Sequence, residues 1–254
     1  MKIKNIVFDL GNVLIDFSPK EYLEKYITES KRDDFYNAIF PTREWLRLDD
    51  GTLSYEDAKV IFKNRVPNCT DEIDEFFDFR FYDMLAPIWK NVAVLNKIAD
   101  QKPKYNLYIL SNFHKEAIEE LKSRYKFFDK FDDEVISCYC HLLKPEDSIY
   151  EHLIEKFNVN PSETIFIDDT EANTIAADKN GIKGVHLPDH TELGQKMKDL
   201  GIIVEENVSQ WTYYKVNKKS KYYNILSNIL KELPKMKGYL EIVKDNRCEV
   251  RKID

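Results

Sequence analysis

Five short apolar runs, each closed by polar or turn residues and separated by segments of helical periodicity, constrain this chain more than any other feature. They are Ile3-Lys4-Asn5-Ile6-Val7-Phe8, Leu107-Tyr108-Ile109-Leu110, Glu134-Val135-Ile136-Ser137, Thr164-Ile165-Phe166-Ile167 and Ile182-Lys183-Gly184-Val185-His186-Leu187. Alternation of short buried strands with helices predicts a parallel sheet joined by right-handed crossovers. The expected fold is therefore α/β, a Rossmann-like parallel sheet core. Residues 172–180 read as one crossover helix, with Gly181 where a C-cap glycine belongs.

About ninety residues separate the first run from the second, far more than one crossover needs. This stretch is helical in its own right. Ser18-Pro19-Lys20-Glu21 combines an N-cap serine, a first-turn proline and a capping-box glutamate, and Tyr22, Leu23, Tyr26 and Ile27 then share a face. Ser54 opens a second helix before Ala58, Ile61 and Phe62, and a third follows Thr70 with Ile73, Phe76, Phe77 and Phe81 as its buried stripe. The expected organisation is a core of residues 1–16 and 88–200, a helical insertion at 17–87 and a small α+β extension at 201–254, the last comprising an amphipathic helix over 218–233 and a hairpin around Asp245-Asn246.

Composition excludes more than it selects. A chain 43% hydrophobic and 13% aromatic is globular, and no apolar run approaches the roughly 18 residues that would cross a bilayer. The N-terminus lacks a secretory signal, so a cytoplasmic protein is expected. Cys69, Cys138, Cys140 and Cys248 are too irregularly spaced for a zinc knuckle or a redox dithiol and read as reduced thiols. His114, His152, His186 and His190 show no metal-ligand spacing, and no Gly-rich nucleotide loop is present. The net charge of −7 is uneven: an acidic body precedes a basic tail from Trp211 onward. Lysines interleaved with Trp211, Tyr213, Tyr214, Tyr222, Tyr223 and Tyr239 could bind nucleic acid, but aromatics at helical spacing favour self-docking or self-association.

Polar residues stand at the ends of four of the runs: Asp9, Ser111-Asn112, Lys144-Pro145 and Asp168-Asp169. Open α/β sheets build their sites at that edge. Asp9-Leu10-Gly11-Asn12-Val13, Leu110-Ser111-Asn112, Leu143-Lys144-Pro145-Glu146-Asp147-Ser148-Ile149-Tyr150 and Ile167-Asp168-Asp169-Thr170 resemble, in order, the motifs of the haloacid dehalogenase superfamily of hydrolases, over residues 3–190. The insertion stands where that superfamily carries a helical cap. In chemical terms Asp9 can form an aspartyl-phosphate, Ser111 can donate to a phosphoryl oxygen, Lys144 brings a fixed cation, and Asp168 and Asp169 are hard ligands suited to Mg2+. The resemblance adds Asn112 and Gly11 to the phosphate-binding set. It also implies a metal held by Asp9, the Gly11 carbonyl and Asp169, with Asp168 as ligand or support and Asn173 orienting the loop.

Gly11 stands where phosphatases of the superfamily usually carry a second aspartate. A lost general acid typically costs roughly 100- to 10,000-fold. The leading expectation is a Mg2+-dependent phosphatase of a small phosphorylated metabolite, such as a sugar phosphate, similar to a subgroup that shares the first motif Phe-Asp-Leu-Gly-Asn-Val. A phosphate- or partner-binding relative without turnover is the alternative, and a dehalogenase is disfavoured because it leaves the Asp168-Asp169 pair without a role. Substrate choice is expected from Arg43, Trp45, Arg47, Asp49 and Asp50 of the cap, while Asn12 supports the Asp9 loop and His141 is structural.

Overall fold

The computed structural model describes residues 2–203 in full and the backbone of 239–244 and 247–252. Contacts divide the chain into Met1–Val204 and Glu205–Asp254. In the second unit, Tyr239–Lys244 and Arg247–Lys252 pair as an antiparallel hairpin, and the expected helix over 218–233 lies outside the described residues.

The first unit begins with β1 (Asn5–Phe8), followed by the very short β2 (Ile15–Phe17). Five helices come next: α1 (Pro19–Tyr26), α2 (Arg32–Ile39), α3 (Arg43–Asp49), α4 (Tyr55–Arg65) and α5 (Thr70–Glu75). The chain returns through β3 (Leu85–Pro87), α6 (Trp89–Ala99), β4 (Asn106–Ser111), α7 (Lys115–Arg124), β5 (Asp133–Ile136) and the single turn α8 (Ser137–Cys140). It then forms α9 (Asp147–Phe157), β6 (Thr164–Asp168), α10 (Glu171–Lys179), β7 (Lys183–His186) and α11 (Leu193–Asp199).

All five expected strands meet in one parallel sheet of order β5-β4-β1-β6-β7. β1 is central and wholly buried, and its period of two divides the protein's apolar mass. Ile6 and Phe8 point into the larger cluster, which runs on into the inserted helices, whereas Val7 joins Tyr108, Tyr150 and Phe166 on the opposite face. Gly181 has φ +78 at the end of α10, the left-handed turn a C-cap glycine supplies.

The insertion is helical as expected, but it enters and leaves through an antiparallel pair, β2 with β3, that periodicity did not reveal. Three-residue strands are too short to carry a pattern. Ser18 also departs from expectation: its hydroxyl donates to the Asp16 carboxylate at 2.6 Å and makes no capping bond, its ψ of 68 lying outside the extended backbone from which Thr42 and Ser54 reach their first-turn N–H groups. Ser54 does cap α4, accepting from the Asp57 N–H.

The insertion is held together by aromatic rings. Phe76 is fully buried, with ring centroids of Phe77, Tyr22, Phe81 and Phe35 at 4.8, 5.0, 5.4 and 5.6 Å. Replacing it removes both transfer energy and packing from every neighbour at once. Phe76→Ala is expected to destabilise the protein by about 3–5 kcal/mol in urea titration; a loss below about 1 kcal/mol would show that the cluster collapses around the void.

Candidate active site

β1 pairs in register with both neighbours, Phe8 lying opposite Ile109 of β4 and Ile167 of β6. The residues that follow therefore emerge side by side at the C-terminal edge, on strands about 4.8 Å apart. Asp9 is fixed there by its own N–H, which donates to the Ile167 carbonyl at 2.9 Å. Ser111 Oγ donates to Asp9 Oδ1 at 2.6 Å, and Lys144 Nζ stands 2.8 Å from the same oxygen and 2.7 Å from Asp168 Oδ2. The structure thus brings together the strand-end residues that the sequence singles out.

Each is held by neighbours. The Asn112 amide clamps Lys144, donating to its carbonyl at 3.0 Å and accepting from its N–H at 2.9 Å. That clamp occupies the side chain expected to touch phosphate, so in this arrangement Asn112 serves the lysine. Asp168 accepts from the Thr170 N–H at 2.8 Å and from the Asn173 amide at 3.0 and 3.1 Å, which leaves it wholly buried and fully bonded. Asn12, in the left-handed region at φ 50, donates to Asp169 Oδ2 at 3.0 Å and accepts from the Phe17 N–H.

Burial dominates the electrostatics. It would strip the proton from Lys144, but Asp168 and Asp9 outweigh it and hold the ammonium above its usual range. Burial raises Asp9 to about 7 despite Lys144, and Asp168 adds to the rise. Carboxylate oxygens of Asp9, Asp168 and Asp169 lie within 4.8 Å of one another with one ammonium among them. With Asp9 ionised, two negative charges are left uncompensated. This all-oxygen donor set, short of positive charge, fits a hard divalent cation.

A cavity of about 220 Å³ opens above this edge. Gly11, Asn12, Asn112 and Asp169 form its polar floor, and Phe17, Trp45, Phe81 and Leu85 form an apolar wall. Of the cap residues expected to choose substrate, Trp45 and Asp49 line it. Arg47 instead reaches the Thr52 carbonyl, Asp50 closes a turn on Thr52, and Arg43 is exposed. Sequence reasoning missed His114, which lines the cavity and is buried beside Trp45, with ring centroids 4.4 Å apart. Its place three residues after Ser111, in a strand-end loop, was the available signal.

Burial also sets the state of the pair where insertion meets core. His114 is pushed down to about 3, hence neutral, and the Asp49 carboxyl is pushed up to about 8, with Lys144 opposing the rise and Asp50 and Asp9 adding to it. The backbone around Asp49 is latched to α8. Ser137 Oγ donates to the Asp49 carbonyl at 2.5 Å, and His141 Nδ1 meets the Asp50 carbonyl at 2.6 Å. Gly51, at φ +73, comes so close that a Cβ there would stand 2.4 Å from the Cys138 carbonyl oxygen.

A family model of haloacid dehalogenase-like hydrolases matches residues 3–181, most of the chain and every residue of this site. The chain belongs to that family. This haloacid dehalogenase-like hydrolase is 23% identical to a sesquiterpene phosphatase of Aspergillus oryzae over 78% of the chain and 96% of the relative. It is 25% identical to a D-ribitol-5-phosphate phosphatase of Bacteroides thetaiotaomicron, over 67% of the chain and 85% of that enzyme. Its fold is similar to that of a haloacid dehalogenase-family enzyme from B. thetaiotaomicron solved in complex with magnesium and inorganic phosphate, with a TM-score of 0.56 at 24% identity over 72% of this chain and 93% of the other.

The raised Asp9 gives the metal-free hydrolase a defined pH response. A carboxyl held near 7 in the folded state, against an ordinary value of 3.8, contributes stability that is full below about 4 and is lost as pH rises through 7. Asp9→Asn, which mimics the protonated form, is therefore expected to match wild type at low pH and to exceed it increasingly as pH rises towards 8. Thermal melts in chelator test this, and a gap that narrows with rising pH would contradict it.

Proposed function

We propose that this hydrolase is a phosphatase that hydrolyses a small phosphomonoester through an aspartyl-phosphate on Asp9, with Mg2+ as cofactor. The observation that carries the reading is the position of Asp9 Oδ1 between the Ser111 hydroxyl and the Lys144 ammonium, beside two more carboxylates.

Phosphoryl transfer asks for little covalent chemistry and much positioning of charge. The Asp9 carboxylate attacks phosphorus, and Lys144 and Ser111 offset charge on the phosphoryl oxygens. Asp9, Asp169 and the Gly11 carbonyl would hold the metal, with Asp168 as a further ligand or as support. Bound Mg2+ supplies positive charge against phosphate that one lysine cannot provide alone. Relatives named for a sesquiterpene phosphate and for ribitol 5-phosphate support a small phosphorylated substrate, and the wall of Phe17, Trp45 and Phe81 suits a leaving group with an apolar face. A phosphorylated metabolite of the cytoplasm is the expected partner. Among the described residues no helix is long and apolar enough to cross a membrane. Self-association through the basic extension, of which residues 204–238 lie outside those described, is part of the proposal.

Phosphate release from a panel of sugar, polyol and isoprenoid phosphates is expected to require Mg2+, to vanish in chelator and to fall by at least about 1,000-fold in Asp9→Asn. Activity unchanged in that variant would sink the mechanism. Phosphate binding without turnover on any member would instead favour the phosphate-binding alternative.

A further inference from the structure

Residue 11 has no side chain, although an alkyl phosphate needs an acid beside its departing oxygen. Room exists for one: a Cβ built on Gly11 would have Asp9 Oδ2, at 4.0 Å, as its nearest neighbour. The rest of the floor offers little in its place. Asn12 and Asn112 are amides already bonded, Lys144 is divided between two carboxylates, and neutral His114 holds no second proton to give. Asp168 is fully bonded, and Asp169 belongs to the carboxylate cluster beside Asp9.

Asp49 lines the same cavity as Gly11 but comes from the insertion, as the last residue of α3. Its backbone is pinned by Ser137 Oγ, so the carboxyl is carried on a fixed hinge point. His114 stands beside it. Tyr55 OH lies 3.3 Å from His114 Nδ1, while His114 Nε2 lies 3.3 Å from Asp49 Oδ1 without the alignment of a hydrogen bond. Among the described residues, that nitrogen is the single buried side-chain polar atom left without a hydrogen-bond partner. Such an orphan is costly and calls for an explanation.

We propose that Asp49 is the general acid of this enzyme, delivering to the leaving oxygen the proton that residue 11 cannot and taking one back from water. The assignment rests on the phosphatase reading above and deepens it. As Asp9 attacks phosphorus, the bond from phosphorus to the alcohol oxygen breaks and that oxygen takes the Asp49 proton. A water then attacks the aspartyl-phosphate and surrenders a proton to the Asp49 carboxylate. Phosphate leaves, Asp9 is regenerated and Asp49 is protonated again. Burial, which keeps the Asp49 proton in place at neutral pH against the pull of Lys144, suits it to the first step. The Tyr55 hydroxyl can donate to or accept from His114 Nδ1, so Nε2 can meet Asp49 in either of its protonation states.

A series of substituted phenyl phosphates, running from acidic nitrophenols to phenol and extended to an alkyl phosphate, tests the assignment with Mg2+ present. kcat/KM stops at release of the alcohol and so isolates the step in which the proton is given. For Asp49→Asn, the loss in kcat/KM is expected to grow along the series, reaching about 100-fold or more on the alkyl ester and at least about tenfold less on the most acidic nitrophenol. The dependence on leaving-group acidity should therefore be steeper than in wild type. That slope is a ratio within one protein and does not change with the fraction folded. Gly11→Asp in the Asp49→Asn background, which returns a carboxyl from the other side, should make the slope shallow again. Equal slopes in wild type and Asp49→Asn overturn the assignment while leaving Asp9-dependent turnover intact. A series not hydrolysed by wild type, or hydrolysed equally by Asp9→Asn, overturns the phosphatase reading and this inference together.

Discussion

One buried ammonium organises this protein's sheet edge. Lys144 lies between Asp9, which follows the central strand, and Asp168, which ends its neighbour, at 2.8 and 2.7 Å with its side chain 2% exposed. Removing three charges from water is costly, and a buried ion pair of this kind often stabilises no more than an apolar replacement would. The fold nevertheless supplies a full set of supports for it. Asn112 from the end of β4 grips the lysine backbone, Asn173 from α10 and the Thr170 N–H complete Asp168, and Tyr150 OH in turn holds the Asn173 carbonyl at 2.8 Å. Such provision around an arrangement of little value to stability is the mark of a site kept for its chemistry.

The same constraint explains which parts were legible in the sequence. Asp9, Ser111, Lys144 and Asp168 could be found because each follows or lies near an apolar run, and a parallel sheet must present the ends of such runs at one edge. The helices of the insertion were legible from their stripes, but the third is cut short: α5 ends at Glu75, and Phe76, Phe77 and Phe81 are buried from a wider π turn over Phe76–Arg80 and a tighter 3-10 turn over Phe81–Met84. The neck formed by β2 and β3 was not, since strands of three residues have no period to detect. Ser18 shows another limit. A capping box is a local rule, and it fails where the backbone at Ser18, with ψ 68, leaves the extended conformation that capping needs.

Partnerships across the fold were the least visible. Asn112 could be assigned to the edge but not to the backbone of a residue 32 positions away. His114 carried no ligand spacing, and its meaning comes from Tyr55 and Asp49, both supplied by the insertion. Long side chains that meet through tertiary structure leave no periodic trace. Composition could say only that residues 43–50 mixed aromatic and charged groups, and the folded chain sorts them: Trp45 and Asp49 face the cavity, and Asp50 closes a turn.

The contact between insertion and core gives this sorting its physical basis. Three successive residues, Asp49, Asp50 and Gly51, meet Ser137, His141 and Cys138 in turn, and α8 is a single turn ending with His141 in the left-handed region. The bonds use the backbone of the insertion, so they fix its position whatever its side chains are doing. The Asp49 carboxyl is thereby held by a main-chain anchor while its Oδ1 stands 3.3 Å from the unaligned His114 nitrogen at the cavity. An aspartate at residue 11 would have set a further carboxyl close to Asp9, in a cluster already short of positive charge. Asp49 feels Asp9 more weakly than it feels Lys144, so an acid brought from the insertion adds little to the negative charge of the cluster.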